Sequence, residues 1–224
     1  MRLEISNLNL EIDTEEDKLS VLVVEDVSIF TSLIADIKSK INGEVKEIYL
    51  SENSADVNFS RDVVLCTDIF NLNLNERKLL TAIYSQLEKI FITNENLQRY
   101  YIDILNKIDL LICDLNYECD FDLEWAKTLS LASIFKMMDV KNQIDDCDIF
   151  NNFINWLDLI TKINNKSVIV TVNLFSFFSD EQINELCEFV LSRKIKIINI
   201  DNRICENSNN RIKNYIIDKD CCII

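Results

Sequence analysis

Carboxylates are concentrated in one short segment near the middle of the 224-residue chain. Between Asp109 and Glu124 there are six acidic residues and no lysine or arginine. Within that segment Glu118, Asp120, Asp122 and Glu124 occupy every second position. If the segment is extended, these carboxylates point to one side, because side chains alternate along a strand. A divalent cation would relieve their mutual repulsion, which is about 1 kcal/mol for each close pair in water.

Three interpretations of this acidic segment stay open on spacing alone. The first is a solvated acidic edge strand. The second is a Ca²⁺ or Mg²⁺ site, since Ca²⁺ takes about six to eight oxygen ligands in flexible geometry. The third is a pair of carboxylates that act as general acid and base, as in glycosidases. Zinc is disfavoured, because the chain has no histidine and no thiolate cluster.

The composition excludes several common catalytic designs. The chain has no histidine, so the commonest general base is absent. Its one glycine, Gly43, cannot build a Walker A loop or a dinucleotide-binding loop, both of which need more than one glycine. The familiar enzyme classes are therefore disfavoured. A formal net charge of −15 also argues, taken alone, against a nucleic-acid partner.

Basic residues form two groups outside the acidic segment. Between Arg193 and Lys219 there are seven lysines and arginines against three acids. The second group is Lys127, Lys136 and Lys141, around a short predicted helix. Either group can be a solvated surface. Either can also contact DNA phosphates, which require positioned Lys and Arg and no sequence code.

Strand signals lie at both ends of the chain. Residues 21–24 form a continuous apolar run typical of a strand buried on both faces. Asp26 or Ser28 can cap the helix that follows. Residues 167–172 and 195–200 repeat the buried-strand pattern.

The middle of the chain has helical periodicity instead. Apolar residues recur at helical spacing from residue 75 onward, and again over 128–138 and 148–163. We therefore predict an α/β fold with a mostly parallel sheet. The head domain comprises residues 1–69 and 165–224, and residues 70–164 are inserted in it as a helical leg.

The cysteines and the apolar runs predict the cellular compartment of the protein. The eight cysteines include no CxxC pair, and most lie in apolar runs. We find no signal-peptide pattern at the N-terminus and no apolar run near the roughly 18 residues of a membrane span. These features predict a cytoplasmic protein with reduced, buried thiols and no membrane contact. Surface thiols, or a redox pair at Cys221 and Cys222, are the alternatives. The aromatic residues fall mostly on helical stripes, which predicts core packing.

A set of short motifs, taken in order along nearly the whole chain, resembles one protein family. The motifs are Val21-Leu-Val-Val-Glu-Asp-Val27, Val64-Leu-Cys-Thr-Asp-Ile69, Ile83-Tyr-Ser-Gln-Leu-Glu-Lys89, Asp122-Leu-Glu-Trp125, Asp148-Ile-Phe150, Thr161-Lys162, Val172-Asn173 and Tyr215-Ile-Ile-Asp-Lys-Asp220. The chain thus resembles the accessory spacer-acquisition protein of subtype II-A CRISPR–Cas systems, the small fourth Cas protein of that operon.

The resemblance implies an architecture and a function. It implies an α/β head, likened to a degenerate nucleotide-hydrolase fold, with a helical leg inserted in it. It implies a homotetrameric ring whose lysine-lined hole takes double-stranded DNA ends, with Ca²⁺ near the head–leg junction. It further implies action without nuclease activity, together with the CRISPR integrase complex and the RNA-guided effector nuclease, when spacers are acquired.

Site residues follow from the same resemblance. The family's acidic stretch falls on the four alternating carboxylates of residues 118–124, which favours calcium there. Its pore lysines match Lys136 and Lys141, and Lys127 is a third predicted DNA contact. The chain departs from the family at Leu174-Phe175, where relatives have a Ser-Gly pair, and by a one-residue shift near Lys136.

We therefore predict a non-enzymatic, Ca²⁺-dependent ring that binds double-stranded DNA ends. One alternative is a metal-dependent nuclease or phosphodiesterase that uses the 118–124 carboxylates. Another is a protein–protein adaptor without DNA binding.

Overall fold

A computed structural model describes most of the chain. The described residues are 2–8, 10–13, 18–52, 55–119, 122–145, 147–164, 168–204 and 209–220. The chain divides into two compact units, which are Met1–Leu74 with Ile144–Ile224 (unit 1) and Asn75–Gln143 (unit 2).

Strands and helices alternate along unit 1, whereas unit 2 is helical. Unit 1 contains β1 (Arg2–Ile5), β2 (Leu10–Asp13), β3 (Leu19–Val24), α1 (Val27–Ile41), β4 (Ile48–Glu52), β5 (Ala55–Asp56), α2 (Phe59–Asp62) and β6 (Val63–Cys66). Unit 2 contains α3 (Arg77–Thr93), α4 (Glu95–Tyr117) and α5 (Leu131–Met137). Unit 1 then resumes with α6 (Ile149–Asn164), β7 (Val168–Val172), α7 (Asp180–Arg193), β8 (Lys196–Asp201) and β9 (Ile212–Ile217).

The main sheet of unit 1 has five parallel strands in the order β6-β7-β8-β3-β9. All six residues of β3 are buried, as expected for a central strand covered on both faces. This sheet and the surrounding helices confirm the predicted α/β fold with a mostly parallel sheet.

A second, antiparallel sheet has the strand order β2-β1-β4-β5. Its apolar side chains, among them Leu3, Ile5 and Leu50, share one buried cluster with Leu22 and Ile198 of the parallel sheet. The core of unit 1 is therefore continuous between its two sheets.

Local capping signals place the helices of unit 1. Asp26 is the N-cap of α1, and its Oδ1 accepts hydrogen bonds from the amides of Ser28 and Ile29, both at 2.9 Å. Ser179 and Gln182 form a capping box at the start of α7. Gly43 follows α1 with a φ of +92°, where a residue without Cβ is favoured.

The insertion is shorter than the sequence indicated. It occupies residues 75–143 rather than 70–164, because α6 packs within unit 1. Phe153 and Leu157 of α6 are fully buried there, and the Phe153 ring contacts that of Phe178 at 5.7 Å. Helical periodicity reveals an apolar face but does not say which unit that face packs against.

Unit 2 buries few side chains. Among its described residues, only Leu79 and Tyr84 of α3 are buried hydrophobics, and α4 has none. The large apolar residues of α4 that are exposed are Leu97, Tyr100, Ile102, Ile104, Leu110, Leu111, Leu115 and Tyr117. Core packing was therefore the wrong prediction for Tyr100, which is 65% exposed.

The described thiols differ in environment. Cys66 and Cys187 are buried, and burial raises the pKa of each thiol to about 11. Cys113 and Cys147 are exposed, so the expectation of buried thiols does not hold for them. Cys221 and Cys222 lie outside the described residues. Across the described ranges, no helix is both long enough and apolar enough to cross a membrane.

Candidate functional site

The predicted DNA-contacting lysine Lys136 lies in the last turn of α5, immediately before a tight chain reversal. Asp139 adopts a left-handed conformation with a φ of +48°. The Val140 amide donates to Phe135 O at 2.9 Å, and the Asp139 amide donates to Lys136 O at 3.2 Å. These bonds form a Schellman motif, in which Asp139 takes the position that glycine usually occupies. We call residues 136–142 the lysine turn.

Three hydrogen bonds fix the lysine turn to the start of unit 2. The Tyr84 hydroxyl of α3 donates to Val140 O at 2.6 Å. The Asn142 amide donates to Asn75 Oδ1 at 2.8 Å, and Asn75 Nδ2 donates to Asn142 O at 3.2 Å. The lysine turn is therefore held by α3 and by Asn75, which lies two residues before α3, although its bonded residues lie more than fifty positions later in the sequence than their partners.

The three predicted DNA-contacting lysines differ in their ionic partners. Lys141 Nζ lies 2.6 Å from Asp139 Oδ2, and this hydrogen bond raises the pKa of the lysine. Lys127 Nζ lies 2.5 Å from Asp109 Oδ1. Lys136 is exposed and has no ion pair with any described residue. Of the three, Lys136 is the one whose charge is available to a phosphate without breaking an ion pair.

The segment after the acidic residues lies along α4. The contacts are Leu123 N to Asn116 Oδ1 at 3.0 Å, Trp125 Nε1 to Asp109 Oδ1 at 2.7 Å, and the Tyr101 hydroxyl to Leu129 O. As the residue number in the segment increases from 123 to 129, the residue number of its partner in α4 decreases from 116 to 101. Segment 122–129 therefore runs antiparallel to α4.

Distance shows that this segment is extended. Fifteen residues of helix, from 101 to 116, rise about 22 Å. Six peptide steps, from 123 to 129, cover most of that distance only in an extended conformation, at about 3.3–3.6 Å per residue. The Tyr101 side chain bridges the rest, and the chain bends at Lys127. Trp125 and Lys127 direct their side chains to Asp109 of α4, whereas the side chains of Asp122 and Glu124 are exposed.

The four predicted metal ligands are not all part of this extended segment. Glu118 is the C-cap of α4, with helical backbone angles of −84° and −5°. Asp120 lies outside the described residues. Within the described ranges, no group of three or more His, Cys, Asp or Glu side chains could hold a metal ion. The described carboxylates alone therefore do not fit the oxygen-rich shell that Ca²⁺ prefers.

Asp109 has a structural role that its sequence position does not reveal. Its carboxylate accepts hydrogen bonds from Lys127 and from the Trp125 indole, and these bonds lower the pKa of Asp109. Lys127 Nζ also lies 3.9 Å from the centroid of the Trp125 ring, within cation–π range. One of the six clustered acids is thus paired internally. The partners are 16 and 18 residues away, so no local pattern indicates this pairing.

The basic residues between 193 and 219 do not form one surface. Arg193 lies 3.6 Å from Asp158, and Arg211 lies 3.0 Å from Glu188. Lys194 precedes β8, at the amino edge of the parallel sheet, whereas Arg203 follows β8 and lies at the opposite edge. The excess of basic residues between 193 and 219 is therefore divided between the two opposite edges of the parallel sheet of unit 1.

Comparison with known protein families identifies the chain. The model of the CRISPR-associated protein (Cas_Csn2) matches residues 40–221. The chain belongs to the Cas_Csn2 family. This membership confirms the resemblance to the subtype II-A CRISPR-associated protein, and the matched range includes most of unit 1 and all of unit 2.

Among solved structures, the chain is similar to MJ1267, an ATP-binding cassette of an ABC transporter. The identity is 15%, the TM-score is 0.49, and the match covers 100% of this chain and 88% of that chain. Neither fold nor function follows from a likeness at this level.

Proposed function

We propose that this Cas_Csn2 family member assembles as a homotetrameric ring that binds double-stranded DNA ends without sequence specificity during spacer acquisition. The observation that carries the proposal is the surface of unit 2, where the lysine turn occurs together with an apolar helix that buries none of its residues. The first feature suits phosphate, and the second suits another copy of the chain.

DNA binding would depend on local cations rather than on net charge. Lys136 is exposed without an ion pair among the described residues, and the Schellman motif and Tyr84 restrict where its backbone can lie. Phosphate contacts of this kind position a protein on a duplex without reading bases. Four copies would bring four such lysines into one assembly, so a chain of net charge −15 can present a positive channel.

Assembly would cover the apolar surface of α4. The helix has 23 residues and is about 34 Å long at about 1.5 Å per residue. Tyr100, Leu111 and Leu115 are each at least 59% exposed and lie within about 60° of one another around the helix axis, at about 3.6 residues per turn. Monomeric proteins rarely leave a continuous apolar surface of this kind in water. We propose that this surface is covered by α4 of a second copy of the chain, related by a two-fold axis, so that the same surface of both copies is in contact.

Calcium dependence is part of the proposal as a property to be measured. The support is the cluster of acidic residues between 109 and 124, of which Asp122 and Glu124 are exposed. The described carboxylates do not complete a calcium shell, and the proposed contact of Lys136 with phosphate does not require the ion. Calorimetry with CaCl₂, on the chain and on Asp122→Asn, measures whether the ion binds at this segment.

The remaining parts of the proposal concern activity and partners. We propose that the chain is not an enzyme, which is supported by the absence of histidine and by a two-residue link between β3 and α1 in place of a glycine-rich loop. We propose that it acts in the cytoplasm with the CRISPR integrase complex and the RNA-guided effector nuclease.

Electrophoretic mobility shift on matched linear and closed-circular DNA tests the binding mode. We expect retention of linear DNA, loss of retention with Lys136→Glu, and little change with Lys38→Glu, an exposed lysine of unit 1. Equal retention of circles would contradict end binding. Cleavage in Mn²⁺ that Asp122→Ala abolishes would instead favour a nuclease.

Light scattering after size exclusion tests the assembly. We expect a mass about four times the 26.2 kDa of one chain, and a smaller mass when Leu111→Glu places a charge in the proposed interface. Val45→Glu, at a 96% exposed position of unit 1, is the matched control and should leave the mass unchanged. An unchanged mass with Leu111→Glu would contradict an interface through α4.

A further inference from the structure

Unit 1 contains an open cavity at the carboxyl edge of its parallel sheet. The cavity has a volume of about 390 Å³ and is lined by Glu25, Val27, Asn202, Arg203, Ile204 and Lys219. Each of these residues follows the end of a strand, which is β3, β8 or β9. These three strands are neighbours in the sheet, so their ends form the floor of one site.

The topology of the sheet favours a ligand at this position. From β3 the chain proceeds to β6 at one edge of the sheet, and from β8 it proceeds to β9 at the other edge. The connections that leave β3 and β8 thus depart in opposite directions. In open α/β sheets, ligands bind beyond the carboxyl ends of strands where the connections diverge in this way. The cavity is also within the size range of small-molecule sites.

Two cations in the cavity wall are not paired. Arg203 and Lys219 are exposed and form no ion pair with any residue in the described ranges. Their neighbours in sequence, Arg193 and Arg211, are paired with Asp158 and Glu188. Among the described lining residues the two cations outnumber the one carboxylate, Glu25, and this local positive balance favours an anion.

The surrounding groups restrict the charge and the size of that anion. Asp26 already occupies the amino end of α1, where the Ser28 and Ile29 amides would otherwise be free for a phosphate. Glu25 adds a further negative charge to the wall. Each added phosphate would increase the repulsion from these nearby carboxylates, so a ligand with a single phosphate group is favoured.

The apolar part of the wall indicates an organic ligand. Val27 and Ile204 line the same cavity and are 64% and 50% exposed. An apolar or planar group that packs against these side chains would remove them from water. We propose that the cavity at the ends of β3, β8 and β9 binds a small phosphomonoester, with Arg203 and Lys219 on the phosphate and Val27 and Ile204 against its organic part.

This site lies in unit 1 and does not depend on the proposed DNA contacts, which lie in unit 2. Calorimetry on the full chain tests it with four probes: AMP, inorganic phosphate, adenosine and ATP. We expect AMP to bind more tightly than inorganic phosphate, because the apolar wall contributes. We expect adenosine not to bind, and ATP to bind no better than AMP, because Glu25 and Asp26 oppose the additional charges.

Substitutions locate the binding. Loss of either cation, by Arg203→Ala or Lys219→Ala, should weaken AMP binding by roughly tenfold or more, as expected for a charge-assisted hydrogen bond to phosphate. Lys194→Ala removes an equal charge at the opposite edge of the sheet and should leave the affinity unchanged. Thermal unfolding of each variant checks that it folds.

Two results would overturn the proposal. One is no binding of AMP or phosphate at millimolar concentration by the folded chain. The other is equal weakening by Lys194→Ala, which would indicate a general charge effect rather than a site. If the Arg203→Ala and Lys219→Ala chains bind AMP normally but lose DNA retention, the two cations belong to a DNA surface and the small-ligand site is rejected.

Discussion

Unit 1 and unit 2 differ in how they bury apolar surface. Unit 1 encloses a continuous core between two sheets and their helices. Unit 2, over its described residues, buries only Leu79 and Tyr84 among its hydrophobic side chains, and it leaves apolar residues of α4 exposed from Leu97 to Tyr117. Unit 1 can therefore be stable through its own packing, whereas the stability of unit 2 relies more on polar contacts within the chain and on a partner that covers α4.

The largest expected change in the free energy of unfolding comes from a cavity in the core of unit 1. Phe153 is fully buried and contacts Trp156 and Phe178. We expect Phe153→Ala to lower the free energy of unfolding by about 3–5 kcal/mol, since both transfer energy and packing are lost. Urea denaturation followed by circular dichroism measures this.

The matched change in unit 2 is Leu111→Ala, at a position that is 59% exposed. If copies of the chain cover α4, the effect of Leu111→Ala should grow with protein concentration, because association contributes to stability. The effect of Phe153→Ala should not depend on concentration. Identical concentration dependence for the two variants would remove the contrast between the units.

The next effect in size is a dependence of the stability of unit 1 on pH. Asp201 is 2% exposed, burial raises its pKa above the ordinary 3.8, and Asn199 Nδ2 donates to its Oδ2 at 2.7 Å. The folded state therefore keeps a proton that the unfolded state loses. Stability should fall as the pH rises from near 3.8 through the raised pKa of Asp201.

Asp201→Asn replaces this acid with a neutral group of the same shape. We expect the variant to be more stable than the original chain at pH 7 and to lose this part of the pH dependence. Denaturation series between pH 4 and pH 8 measure both, and Asp122→Asn at an exposed position is the control. An unchanged slope in Asp201→Asn would show that Asp201 is ionised in the folded chain.

The third effect concerns the polar contacts that organise unit 2. Tyr84→Phe removes the hydroxyl that donates to Val140 O and leaves the ring in place. We expect a loss of about 1 kcal/mol, the usual net value of one hydrogen bond. Hydrogen exchange should also show faster exchange in the lysine turn but not in β3. Uniformly faster exchange would show that the bond supports the whole fold rather than the turn.

The smallest effect concerns the pair between Asp109 and Lys127. Asp109→Asn should release Lys127 from its ion pair while the Trp125 indole keeps an acceptor. If Lys127 then reaches DNA, the slope of log K against log salt should steepen by about one phosphate contact, roughly 0.9. Filter binding at several salt concentrations measures the slope. An unchanged slope would indicate that Lys127 lies away from DNA in both proteins.

Features set by neighbouring residues could be predicted from the sequence. The buried strand β3, the cap by Asp26 and the capping box at Ser179 each depend on a few consecutive side chains. The α/β class followed from these local signals, since strand–helix–strand order at both ends implies a parallel sheet.

Features set by distant partners could not be predicted. The pairing of Asp109 with Lys127 and the hydrogen bond from Tyr84 to Val140 join residues 18 and 56 positions apart. Asp139 adopts a left-handed conformation, but the usual sequence signal for that conformation, a glycine, is absent at this position. Glu118 fits an alternating pattern in sequence, yet α4 continues up to it and places it in helical geometry.

The paired amides of Asn75 and Asn142 have a consequence for how the length of this chain can vary. Their two hydrogen bonds bring the beginning and the end of unit 2 into direct contact with each other. Residues added or removed between them therefore need not change the distance that the chain must bridge from β6 to α6. Doubling such a closed loop costs only about 0.6 kcal/mol in chain entropy. We expect length differences among relatives to accumulate between these two asparagines, while the strand spacing of the parallel sheet stays constant.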